Sequence, residues 1–216
     1  MIEELYEALY EHVKREKETK KEGSRTRLGH DFEEEVTQIV WKHARKSDAQ
    51  LLPSRHTIDL PTVSGQAHQF DAAFKIGNAY HVFECKRQES PTIDYVYYFN
   101  SKILDYMLKT VPGKHAYSFR GTLISHRELG DQTLAYALAY GINICDPGTP
   151  PLEVIMATSR DTKLRAAVTH FRKTLPTTEN AVLQGHQQNL DAAQLCRMYR
   201  FYVRRWLTEN EQKKAE

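Results

Sequence analysis

The chain has 216 residues, 40% of them apolar and 27% charged, with a formal net charge of +2. That length suits one large domain or a core with an appendage, and the balance is that of an ordinary globular protein. No apolar run approaches the ~20 residues of a membrane span, so no membrane partner is expected.

Cys85, Cys145 and Cys196 are odd in number and far apart. They suggest neither a C-x-x-C zinc site nor a disulfide framework, and a reducing, cytoplasmic setting is expected. Charge is unevenly placed: from Glu153 to Arg205 there are nine Lys and Arg against four Asp and Glu, a net of +5. A polyanion would therefore meet the C-terminal third.

In chain order, Ile2, Leu5, Tyr6, Leu9, Tyr10 and Val13 recur at helical spacing. They predict an amphipathic helix over 2–14 rather than a secretory signal. The following KREKETKKEGSR reads as a solvated helix end and linker. A second helix is expected from about Gly29 to Arg45, with Phe32, Val36, Ile39, Val40 and His43 on its apolar stripe. One short strand is expected within 50–68. Two strands, Gln69–Lys75 and Ala79–Arg87, meet at Gly77-Asn78, a hairpin signal.

Val96, Phe99, Ile103, Leu104, Met107, Leu108 and Val111 mark a long helix ended by Pro112-Gly113. The tyrosines of YVYY (95–98) are expected in the core at its start, with one ring able to line a cleft. RGTLIS then reads as a strand, DQTLAYALAY as a helix and GINICD as a strand, which suggests a parallel crossover. After the break at Asp146-Pro147-Gly148 and Pro150-Pro151, the spacing of Leu164, Val168, Phe171 and Leu175, then of Leu195, Met198, Tyr202 and Trp206, is helical. Three regions follow: 1–24, an N-terminal helix and charged linker; 25–150, an α/β core; and 151–216, a basic helical extension.

The hairpin carries the chemistry. With Gly77 and Asn78 as the loop, Ile76 pairs with Ala79 and Asp71 falls opposite Glu84. Residues so paired share a face with Cβ atoms ~5 Å apart. Lys86 shares that face by the period-two alternation, while His81, Phe83 and Cys85 lie on the other, where His81 is expected in the core. Two facing carboxylates repel, so positive charge is expected between them: Lys86 and a divalent cation. All-oxygen ligation suits Mg²⁺ or Mn²⁺ rather than zinc. Gln88 continues this face, either as a strand-end polar residue or as a contact to phosphate or water.

FD-x12-ECK, after a helix bearing GHDFEEEV and before a helix and the LIS strand, resembles the PD-(D/E)XK nuclease superfamily, in the manner of restriction endonucleases and archaeal-type Holliday-junction resolvases. Phe70 stands where the motif's proline would be. The resemblance covers roughly residues 25–150. It implies an α/β fold with a mixed sheet of about four to five strands flanked by helices, and a Mg²⁺- or Mn²⁺-dependent endonuclease acting on DNA, with RNA also open and a homodimer possible. It implies that Asp71, Glu84 and the backbone carbonyl of Cys85 hold the metal, and that Lys86 orients or activates water. Family members often add a glutamate from the first core helix. Of Glu33, Glu34 and Glu35, helical geometry sets Glu33 on the apolar stripe, where a carboxylate needs a partner, so Glu33 is the expected fourth acid. The contrasting expectation is a catalytically silent nucleic-acid-binding or assembly module on the same fold. Arg197, Arg200, Arg204 and Arg205 share one face of the last helix, either as a solvated surface or as phosphate-backbone contacts.

Overall fold

The structure, a computed structural model, describes residues 2–18, 25–46, 48–52, 58–87, 92–110, 117–175 and 192–215. Among them are seven helices and five strands: α1 (Ile2–Glu18), α2 (Arg25–Ala44), β1 (Gln50–Leu52), β2 (Ala72–Ile76), β3 (Ala79–Lys86), α3 (Ile93–Thr110), β4 (Ser118–Ser125), α4 (Asp131–Ala139), β5 (Asn143–Cys145), α5 (Leu152–Thr158), α6 (Thr162–Thr174) and α7 (Ala192–Ala215). None of these helices is long and apolar enough to cross a membrane.

The strands form one mixed sheet in the order β1-β2-β3-β4-β5. The first two pairings are antiparallel and the last two parallel. The hairpin register is Ile76 with Ala79 and Ala72 with Phe83, as the alternation of side chains predicts. Gly77 turns the chain at φ +56°, a conformation open to glycine at little steric penalty. The central strands β3 and β4 are eight residues each, and the six interior positions of β3 are all buried. Helices α3 and α4 supply the parallel crossovers.

Helices cover both faces. On one, α3 lies close over β4 because Gly121 has no side chain. A Cβ there would come 2.6 Å from Ile103 Cδ1 and 3.0 Å from Phe99 Cε1. On the other, α1 docks through Tyr6, whose hydroxyl lies 2.8 Å from Thr122 Oγ1 of β4. Leu5, Tyr6, Leu9, Tyr10 and Val13 are all buried in the same hydrophobic cluster as the sheet. The N-terminal helix is thus built into the core, and it runs four residues past the expected end at residue 14.

The last helix is also fastened to the body. Trp206 packs edge-on against Tyr10 with ring centroids 5.9 Å apart, and its indole N–H donates to Thr158 Oγ1 at 2.9 Å. The Tyr199 hydroxyl donates to the Pro150 carbonyl. The three cysteines are free and buried.

The candidate active site at the split of the β2–β3 hairpin

The ladder between β2 and β3 opens at Asp71. Its N–H still donates to the Phe83 carbonyl at 3.1 Å. Its carbonyl turns instead to α2, where Thr37 Oγ1 lies 3.2 Å away and also donates to the Glu33 carbonyl at 2.8 Å. With the strands parting, Cys85 N–H is met by a side chain: it donates to Asp71 Oδ2 at 2.7 Å. That bond fixes the aspartate at the sheet end beside Glu84. A charge-assisted bond of this kind holds geometry better than a neutral one.

Glu84 is buried, and each of its oxygens faces an ammonium. Lys86 Nζ lies 3.0 Å from Oε1, and Lys102 Nζ lies 3.0 Å from Oε2. Lys102 comes from α3, is itself buried, and donates to the Gln69 carbonyl at 2.9 Å. Two tyrosine rings of α3 sit against these cations: Lys86 Nζ is 5.3 Å from the Tyr95 centroid and Lys102 Nζ is 4.8 Å from that of Tyr98. The site therefore has a carboxylate pair at the hairpin and two ammonium groups drawn from a strand and a helix.

Burial pushes the Asp71 carboxyl up to about 7, and the neighbouring charges of Glu84 and then Glu33 add to this. The Cys85 N–H and Lys86 pull the other way. Burial opposes the charge on Lys86, but the Glu84 carboxylate outweighs it and leaves the ammonium more strongly protonated than usual. The same carboxylate thus holds the Lys86 side chain in its charged form at the hairpin.

The sequence-derived residues fall out unevenly. Asp71, Glu84 and Lys86 gather as expected from the register. Glu33 is partly buried, with Oε2 3.5 Å from His30 Nδ1. Its charge reaches Asp71, but among the described residues no three or more His, Cys, Asp or Glu side chains form a metal-holding group. Gln88 lies outside the described residues. His81 is buried on the opposite face, its ring stacked on Phe74 at 4.6 Å.

Two expectations need correction. Tyr95, Tyr97 and Tyr98 are 38%, 43% and 62% exposed, and only Val96 of that stretch is core. The helical phase of α3 is set by Val96, Phe99 and Ile103, which turn the tyrosines outward. Arg200 does not stand free on a basic face. Its guanidinium reaches Asp131 Oδ1 at 3.2 Å, Thr149 Oγ1 at 3.1 Å and the Leu129 carbonyl at 3.1 Å, and so pins α7 to the start of α4. Arg205 is paired with Asp161. Arg197 and Arg204 are exposed.

Lys102 is the residue that reading the sequence missed. The signal was present: it stands three residues after Phe99 and four before Tyr106, inside a buried stripe. A charge in such a stripe requires a partner, the same reasoning that singled out Glu33.

No family model matches the chain, and no curated protein matches it. Among solved structures, the chain is similar to the small subunit of the heterodimeric restriction endonuclease R.BspD6I. The identity is 11%, over 96% of this chain and 98% of that one, at a TM-score of 0.39.

Proposed function

We propose that the chain is a Mg²⁺- or Mn²⁺-dependent endonuclease that hydrolyses phosphodiester bonds in DNA. One observation carries the reading: Asp71, Glu84 and Lys86 converge where the hairpin splits, with Asp71 fixed by Cys85 N–H at 2.7 Å and Lys86 held 3.0 Å from Glu84. The donors fit a hard divalent ion, being carboxylate and carbonyl oxygens with no thiolate or imidazole among them. Asp71, Glu84 and the Cys85 carbonyl would hold it, with Glu33 in reach of the same field. When bound, the ion supplies Lewis-acid stabilisation of the phosphoryl charge and a water of lowered pKa.

The chain's own residues do the rest. Lys86, kept protonated by Glu84, presents a fixed charge to the phosphoryl oxygens and orients the attacking water. Lys102 holds Glu84 and the Gln69 carbonyl in place. Preorganisation of this kind is the main lever an enzyme has on a phosphoryl transition state.

A second reading has one observation in its favour. Both oxygens of Glu84 already face ammonium groups, so the carboxylate is neutralised without a metal. A non-cleaving nucleic-acid-binding or assembly module would keep such a pairing. Cleavage of a plasmid and of a partly single-stranded oligonucleotide, each with and without Mg²⁺, separates the two. Metal-dependent nicking that falls by about 100-fold or more in Lys86→Ala and Asp71→Ala is expected of the endonuclease. Binding by mobility shift with no cleavage under Mg²⁺ or Mn²⁺ selects the silent module.

A further inference from the structure

We infer that Tyr95 and Tyr98 form a ledge on which an unpaired nucleobase stacks beside the Asp71–Glu84–Lys86 site, so that the substrate is DNA with unpaired nucleotides next to the scissile phosphate. The inference rests on the endonuclease reading and names its substrate class. Large apolar rings on a surface are informative when they cluster, and these two do so at the site. They are 38% and 62% exposed, lie three residues apart on α3, and share its face with Lys102. Each ring touches the ammonium of a lysine that holds Glu84. A base seated on them would therefore stand one side chain away from the proposed reacting centre.

The neighbouring tyrosine sharpens the contrast. Tyr97 is comparably exposed, but it packs edge-on against Tyr136 of α4 at 4.2 Å and belongs to the fold. No such aromatic partner holds Tyr95 or Tyr98 among the described residues; their ring contacts are to cations. Duplex DNA keeps its bases stacked on one another, whereas an unpaired base offers a face to a ring. Lysine charge beside exposed rings is the combination that single strands favour, through backbone attraction and stacking together.

The probe is a fluorescein-labelled mixed-sequence oligonucleotide, alone and annealed to its complement, titrated by anisotropy without divalent metal. Wild type is expected to bind the single strand more tightly than the blunt duplex. Tyr98→Ala and Tyr98→Leu are expected to weaken single-strand binding about tenfold, and Tyr98→Phe to retain it within about twofold. A 2-aminopurine in the strand is expected to be quenched by wild type and to recover in Tyr98→Leu. Because the ring is exposed, these variants keep the fold, which far-ultraviolet circular dichroism verifies. Unchanged single-strand affinity in Tyr98→Leu, or a wild type that holds the blunt duplex at least as tightly, overturns the ledge. A single-strand preference lost with Tyr98 in a protein that never cleaves leaves the ledge standing and removes the endonuclease reading. Lys86-dependent cleavage indifferent to Tyr98 does the reverse.

Discussion

Lys102 of α3 reaches across to Glu84 of β3, Nζ 3.0 Å from Oε2, and with Lys86 on Oε1 it brackets that carboxylate between two ammonium groups. The pair is buried, so its attraction offsets desolvation only while both partners remain.

Removing Lys102 leaves Glu84 paired with Lys86 alone, its other buried oxygen without the ammonium that faces it. Lys102→Met is expected to lower unfolding free energy by about 2 kcal/mol. The Lys102→Met/Glu84→Gln double variant is expected to lose less than the two single changes together, because the contact between the two side chains is lost only once. Urea denaturation of the four proteins gives the cycle. Strict additivity would show that the contact is incidental.

Arg200 anchors α7 through three hydrogen bonds. Arg200→Ala is expected to destabilise the protein by about 2 kcal/mol while leaving the salt dependence of nucleic-acid binding unchanged. Exposed Arg204→Ala is expected to move stability by less than about 0.5 kcal/mol. Thermal melts and binding titrations at two salt concentrations check both halves.

His81 makes stability fall in acid. Burial, helped by the positive charge of Arg120, lowers its pKa from 6.5 to about 4. The unfolded chain therefore takes up a proton first as pH drops. The contribution of His81 is full above pH 6.5 and declines through the window down to about 4, by about 3 kcal/mol at the acid end. Denaturant midpoints of wild type and His81→Phe across that range test it: the variant's acid limb is expected to be flatter by that amount.

If a divalent ion sits between Asp71 and Glu84, it stabilises the folded state by mass action. Mg²⁺ at ten times its dissociation constant is expected to add about 1.4 kcal/mol, or a rise in melting temperature of about 3–6 °C. Asp71→Asn is expected to abolish the rise. A Tm that ignores Mg²⁺ and Mn²⁺ in wild type counts against any metal at this site.

Much of the scaffold was legible. Alternation along 72–86 and the Gly77-Asn78 turn set the hairpin register, and the register put Asp71 beside Glu84 and Lys86. Helical spacing placed α1 to α3, with ends displaced by a few residues because capping and docking move them. Less legible was what each helix does with its charged and aromatic side chains. Lys102 looked like an ordinary helix lysine until α3 was seated over Gly121, and YVYY looked like core until Val96 and Phe99 claimed the inward phase.

By itself the sequence determined the order of elements from α1 to β5, the pairing of the hairpin and the three charged residues that share its face. These follow from periods of two and 3.6, which are local properties of the backbone. Only the tertiary structure decided that Glu84 has a second cation, that Arg200 ties α7 to α4, and that two exposed tyrosine rings lie against the lysines of Glu84. Those outcomes depend on which surfaces meet across long chain separations, where burial forces every polar group to find a partner that local spacing does not encode.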